Sequence, residues 1–268
     1  MEESSKMKIG KLELYGNLIT KGSLDIDVSS IGNFPNLSGN IQAKTLILEF
    51  GKNSNYLIDE KFPNIEHCDS VEIYSDNIFL QNCKLLSKIL FFSNNLNTEG
   101  TNLITNLEIH SHDFVLNGII KIGKSFVFDG KSILSNSGIA QIFGDAKIKA
   151  ESLRLGSTDL IPLQEGKAIL DKDVSQIYTS FMALGKMNLE CKDIWLKNAV
   201  LYGRQQLNVF NENLIENKTG FIASDGSIYI KSSKLINGES DNTAFPHYSL
   251  HRGTIVTPES IKDGHSLG

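Results

Sequence analysis

The sequence is poor in cysteine, proline and basic charge, and it has no long apolar run. Its three cysteines, Cys68, Cys83 and Cys191, are odd in number and form no CxxC pair. That argues against a disulfide framework and against a zinc site, and leaves small buried hydrophobes as the expectation. A formal charge of -5 argues against a nucleic-acid grip, which needs a basic stripe, and equally against an electrostatic hold on anionic lipid. No apolar stretch approaches the roughly 20 residues of a membrane helix, so no membrane insertion is expected. The opening "MEESSKMKIG" lacks the apolar core of a secretory signal. The expectation is a cytosolic protein, one exported without a cleaved signal, or a segment of something longer. Apolar runs at helical spacing are scarce as well, which turns attention to strands.

What the chain has in abundance is self-similarity. In "IYIKSSKL" Ile228 and Ile230 alternate, the compact Ser232 follows at the fourth position, and Leu235 at the seventh. Position zero recurs at Leu24, Leu46, Val71, Ile89, Leu107, Phe126, Ala146, Met187 and Leu207. Position two recurs at Ile26, Leu48, Ile73, Phe91, Ile109, Phe128, Ile148, Leu189 and Val209. The fourth position is compact at Ser75, Ser93, Ser111, Gly130, Ala150, Cys191 and Asn211. The seventh returns to apolar at Ile78, Leu96, Phe114, Ile133, Leu153, Ile194 and Leu214. The coils at Leu24 and Leu46 keep the alternation but lose the compact corner and the last apolar column.

Successive zero positions lie 22, 25, 18, 18, 19, 20, 41, 20 and 21 residues apart. A period near 20 is a solenoid signature. Alternation sends positions zero and two to one face, the compact position suits a tight corner, and the last column turns inward again. The expected fold is all-β, a right-handed parallel β-helix over residues 1–240. Each coil then bonds to its neighbours, and fully burying a large inward side chain contributes roughly 1.5–3 kcal/mol before chain entropy is subtracted.

The 41-residue step reads as two periods enclosing an irregular coil or loop over about 154–186. In it Ala168 and Leu170 sit where a coil is due, Lys172 occupies the corner, and a loop protrudes around Pro162 to Gly166. The 25-residue step leaves room for an excursion at "NSNYLIDEKFPNIEHCD". Residues 241–268 carry no evident ladder and are a cap, a linker or a disordered end. Ile9, Leu12 and Leu14 read as a partial first coil, whose unshielded edge implies a longer rod, self-association along the rod axis, or a weakly marked cap.

"GFIASDGSIYIKSSKLING" (Gly220 to Gly238), "GIAQIFGDAKIKAESL" (Gly138 to Leu153) and, more loosely, "GNLITKGSLDIDV" (Gly16 to Val28) share one scheme. A Gly-flanked strand, a Gly-Asp or Asp-Gly turn and an alternating apolar strand follow one another. This resembles the repeats of filamentous-haemagglutinin-like exoproteins, the adhesins and contact-dependent toxin carriers of two-partner secretion. The resemblance covers most of residues 10–240. It implies a right-handed β-helical rod, secreted or at the cell surface, with roles in adhesion or in presenting a terminal toxin. No counterpart of the family's secretion or toxin domains is recognised.

Candidate chemistry is sparse. "HSHD" places His110 and His112 on one outward face, but two imidazoles without a third ligand do not make a metal site, and Asp113 is expected to turn away at the corner. Asp25 and Asp27 also face outward, with Glu49 expected beside Asp27 and Glu72 in the column of Asp25. Paired carboxylates could serve acid–base hydrolysis, yet nothing marks one as buried and the three arginines, Arg154, Arg204 and Arg252, are scattered. A solvated acidic face is the reading adopted. Gly118, Gly123, Lys124 and Ser125 match GxxxxGKS, but an alternating strand follows where that mechanism needs a helix. "NKT" (Asn217 to Thr219) fits a glycosylation sequon. No catalytic residue and no cofactor is identified.

The remaining candidate is a surface patch of Tyr74, Leu90, Phe92 and His110, with Ile47 beneath. It is either open for stacking on sugars or seating a partner, or covered by the segment Asn53 to Pro63. The function expected is therefore non-enzymatic: a structural or adhesive rod contacting a host or neighbouring-cell protein or glycan. The alternatives are a β-helical carbohydrate lyase or hydrolase, and a cytoplasmic bactofilin-like polymerising scaffold.

Overall fold

The structure, a computed structural model, describes residues 5–9, 13–14, 16–28, 36–37, 39–156, 179–218, 220–238 and 254–256. Among them there are strands and turns but no helix. The protein is a parallel β-solenoid of about ten turns with a spacing of roughly 20 residues. It divides into two compact units, Met1–Lys131 and Ser132–Gly268, described in turn.

In the first unit the strand Leu24–Val28 pairs in parallel with Thr45–Phe50, which pairs with Ser70–Tyr74, which pairs with Lys84–Glu99, which pairs with Thr101–Leu116. The register sets Leu24, Leu46, Val71, Ile89 and Leu107 in one file, and Ile26, Leu48, Ile73, Phe91 and Ile109 in the next. All ten are buried. Phe126 and Phe128 continue these files. The Leu107 amide donates to the Ser125 carbonyl at 3.0 Å, and Phe128 lies 6.1 Å from Phe114 between ring centres. The partial first coil is there in backbone form: Ser5–Ile9 pairs with Leu24–Val28, and Glu13–Leu14 with Asn36–Leu37.

The compact corner turns out to need more than small size. Its side chain donates to the carbonyl two residues on, from Ser75 to Asn77 at 3.1 Å and from Ser111 to Asp113 at 3.0 Å. It also reaches its equivalents on other rungs, Ser54 with Ser75 at 2.8 Å and Ser93 with Ser111 at 3.1 Å. A bend in a strand turns a carbonyl out of the ladder, and a buried hydroxyl satisfies it. Gly130 takes the other solution, because a Cβ there would collide with the Ser111 carbonyl.

Two expectations for this unit are corrected. The coil at Leu46 does have a last column, filled by the buried Tyr56, which pairs with Ile78. Phe50 is too large for the corner. The chain therefore detours through Gly51 to Ser54, with Asn53 in a left-handed conformation (φ 61°), before Tyr56 returns inward and packs against Phe50 at 4.1 Å. The stretch from Asn53 is accordingly not a free excursion. Asn55–Ile58 is a rung strand, and Tyr56, Ile58, Ile65 and Cys68 are core. A second corner is a file of left-handed residues, Asn82, Gly100 and Gly118 (φ 52°, 63° and 96°). The two glycines stand where a Cβ would strike the residue beneath.

In the second unit Ala146–Leu155 pairs with Lys186–Leu196, which pairs with Gln206–Asn217, which pairs with Ser227–Lys231 and Lys234–Asn237. Ala146, Met187 and Leu207 are buried in register with Ile228, and Ile148, Leu189 and Val209 with Ile230; the last rung's pair is only half-buried. The corner rule holds here too. Cys191 donates to the Asp193 carbonyl at 3.1 Å, and Ser232 to that of Lys234 at 2.8 Å.

Three further corrections belong to this unit. The 41-residue step is not two stacked periods. Ala146–Leu155 bonds directly to Lys186–Leu196, and Ile139–Ile142 directly to Thr179–Ala183, so no strand is interposed between them. Residues 154–156 and 179–186 belong to the regular ladder; Pro162 to Gly166, Ala168, Leu170 and Lys172 lie outside the described residues. Secondly, Ile215 and not Leu214 fills the last column, because a register shift falls between Cys191 and Asp193. Asn211 spans the bulge by donating to the Cys191 and Leu214 carbonyls at 3.1 and 3.2 Å. Thirdly, the region after 240 does contribute to the ladder, since Thr254–Val256 pairs with Phe221–Ala223. Its other residues lie outside those described.

The three cysteines are free and buried. Burial pushes the thiols of Cys83 and Cys191 up to about 12, so both are poor nucleophiles.

Candidate functional site

Alternation points Tyr74, Phe92 and His110 outward from three consecutive rungs, and the register sets Phe92 beside Tyr74 and His110. Strand spacing of about 4.8 Å then brings planar rings into stacking distance. Tyr74 and Phe92 lie 4.4 Å apart with planes 4° from parallel, and Phe92 and His110 lie 4.9 Å apart at 7°. Each ring contact of this kind contributes about 0.5–1.5 kcal/mol beyond its buried area.

The neighbouring outward file caps the stack rung by rung. Leu90 is in register with Glu72 on one side and Glu108 on the other. The Tyr74 hydroxyl donates to Glu72 at 2.9 Å, and His110 Nε2 meets Glu108 Oε1 at 2.9 Å. Polar tips thus meet carboxylates, while apolar Phe92 keeps the same rung as apolar Leu90. Burial, then the bond to Glu72, pushes the Tyr74 phenol up to about 12. Burial also tends to raise Glu108, but the bond from His110 and the charge of Lys88, 3.4 Å away, outweigh it and hold that carboxyl below its ordinary value.

Beside the rings lies an open groove of about 410 Å³, whose other wall is the Phe50 to Lys52 corner. Asp76 and Asn94 form its polar end. Asp76 accepts from the Asn94 side chain at 3.1 Å and from the Asn53 amide, so that carboxylate is committed. Lys52 is exposed and has no ion pair among the described residues. The four residues picked out from sequence, Tyr74, Leu90, Phe92 and His110, therefore do come together, and all are half-buried. The Asn53 to Pro63 segment does not lie over them as a flap, since Asn55–Ile58 is itself a rung paired with Asn77–Gln81. The stack differs in one respect from a sugar platform: the faces of Phe92 are taken by its neighbours, and ring edges line the groove.

The other candidates dissolve into structure. Asp25 is held by Lys6 at 2.8 Å and Asp27 by Lys8 at 3.4 Å, while Glu49 stands in register with Asp27 and Glu72 with Ile47 above Asp25. His112 is exposed, Asp113 pairs in register with Asn95, and no group of three His, Cys, Asp or Glu residues able to hold a metal occurs among the described residues. At the phosphate-loop match, the Gly123 and Lys124 amides are spent on the Ile104 and Thr105 carbonyls at 2.8 Å each. Asn217 of the sequon is fully buried, donating to Asn237 at 2.9 Å and accepting from the Gly220 amide at 3.1 Å. In the fold its amide is closed to a transferase.

Sequence reasoning missed the amide ladders. Asn95 donates to Asn77 at 2.7 Å and Asn77 to Asn55 at 2.9 Å; in the second unit Asn208 donates to Asn188 at 2.8 Å. The signal was present as an asparagine just before the last apolar column in the coils at Val71 and Ile89. Also missed were Phe210 and Tyr229, outward aromatics 42% and 51% exposed.

Comparisons of the chain with protein-family models, curated proteins and solved structures return no match.

Proposed function

We propose that the protein is a non-enzymatic β-helical rod, a segment of a haemagglutinin-like protein that is secreted or held at the cell surface, and that its outward files contact a protein or glycan of another cell. The groove beside the Tyr74, Phe92 and His110 stack carries this reading. Its walls are side chains already ordered by rung-to-rung contacts, so a partner finds them in place and little rotamer entropy is lost on binding. Lys52, exposed and without an ion pair among the described residues, and the Asn94 amide give that surface specific polar anchors.

Binding of purified protein to intact cells and to membrane glycoproteins, followed by biolayer interferometry, tests the reading. Saturable binding that falls about tenfold in a Lys52→Ala, Asn94→Ala double variant is expected, the loss of two polar anchors at about 0.5–1.5 kcal/mol each. Unsaturable binding, or binding indifferent to those changes, overturns it. Sugar release abolished by Asp25→Asn and Asp27→Asn would favour the hydrolytic alternative, and filaments of the purified chain would favour the polymerising one.

A further inference from the structure

We propose a second contact site in the unit Ser132–Gly268, at Phe210 and Tyr229, taking the ring of an uncharged saccharide. The proposal rests on the reading of outward files as contact surfaces and names a ligand class for one of them.

Both residues project from paired strands, Phe210 from Gln206–Asn217 and Tyr229 from Ser227–Lys231, and about half of each is left in water. Their ring centres are 5.6 Å apart with planes 49° from parallel. The tilt leaves ring faces available, whereas at Phe92 both faces are consumed by neighbours. The Tyr229 hydroxyl has no partner among the described residues, in contrast to that of Tyr74.

Tyr229 stands in register with Asn208, which donates to Asn188 at 2.8 Å. That bond orients both amides, leaving the donors of Asn188 and acceptor capacity on Asn208 at the edge of the aromatic patch. A sugar hydroxyl both donates and accepts, so adjacent hydroxyls match such a pair. A pyranose ring offers the remaining complement, a C–H face for an aromatic ring and a polar rim for the amides. Charge selects the class. In its own file Phe210 has Glu190 on one side and Lys231 on the other. One carboxylate and one ammonium flank the ring, so the file favours neither an anionic nor a cationic sugar, and a neutral ring is the class proposed.

The test is a titration of the intact protein with neutral glucose, galactose and mannose oligosaccharides, read by saturation-transfer NMR and calorimetry, with sialylated and uronate oligosaccharides as charged comparators. Binding of at least one neutral saccharide, weakened about tenfold by Tyr229→Ala or Phe210→Ala and unchanged by Lys84→Ala at an exposed position outside both sites, is expected. Tyr229→Phe should keep most of the affinity, and circular dichroism should show all variants folded. Absence of neutral-saccharide binding, insensitivity to both substitutions, or preference for the charged sugars overturns the proposal. Cell binding that depends on Lys52 while the saccharide titration is silent would leave the function reading standing and remove this one alone.

Discussion

The two units use the same ladder but spend their outward aromatics differently. In Met1–Lys131 the rings of Tyr74, Phe92 and His110 stack on one another and their polar tips are tied to Glu72 and Glu108. In Ser132–Gly268, Phe210 and Tyr229 touch at a tilt and remain about half exposed. Register explains the difference. Three aromatics at one outward position on successive rungs must stack, whereas Phe210 and Tyr229 stand at different outward positions and meet only diagonally. The lesson is that an aromatic outside a solenoid is not thereby a binding residue; its neighbours one period away decide.

The comparison breaks most visibly at the core. Phe91→Ala removes a fully buried ring from the file of Ile73 and Ile109 and should destabilise by about 3–5 kcal/mol in chemical denaturation. Phe210→Ala, on the outside, should stay within about 0.5 kcal/mol. Next comes Phe92→Ala, which removes two ring contacts and should destabilise by about 1–3 kcal/mol. Tyr229→Ala, by contrast, should leave the denaturation midpoint nearly unchanged. If the two cost the same, the stack is no more structural than the tilted pair.

A smaller effect sharpens the electrostatic side. The Glu108 carboxyl is depressed in the folded state, so its stabilisation is fully present above the unfolded carboxylate value and is lost as pH falls through the lower, folded one. Denaturation of Glu108→Gln measured from neutral pH into the acid range should therefore converge on the wild type at the acid end and fall below it near neutrality. An effect of the opposite sign is expected from deleting 158–178. That leaves three residues between Leu155 and Ser180, as there are between Leu196 and Val200. Thermal unfolding should show the deletion variant more stable than the parent by up to about 2 kcal/mol, because each halving of a connection saves about 0.6 kcal/mol of closure entropy and this one shortens about eightfold.

Much of this was legible in the sequence, for a physical reason. Strand alternation and a near-20-residue period locate Ile73, Phe91 and Ile109 without further information, since each repeats a requirement imposed by the same core. The corner serines were legible as small but not as donors, because the need for a hydroxyl arises only when the bend exposes a carbonyl. The bulge that exchanges Leu214 for Ile215 was hidden, since both residues are apolar and only the partner strand reveals the shift. The 41-residue step misled because an insertion close to one period in length imitates a missing coil. For the surface patch, outward placement followed from alternation, whereas the face-to-face stacking of Tyr74, Phe92 and His110 depends on rotamers chosen by neighbouring rungs.

The direct bonding of Ala146–Leu155 to Lys186–Leu196 makes Gly156 a natural splice point. Hydrogen bonds on either side clamp the two chain ends in place, whatever peptide runs between them. A foreign epitope or an entire guest domain grafted there would be carried on the scaffold without asking its host to refold.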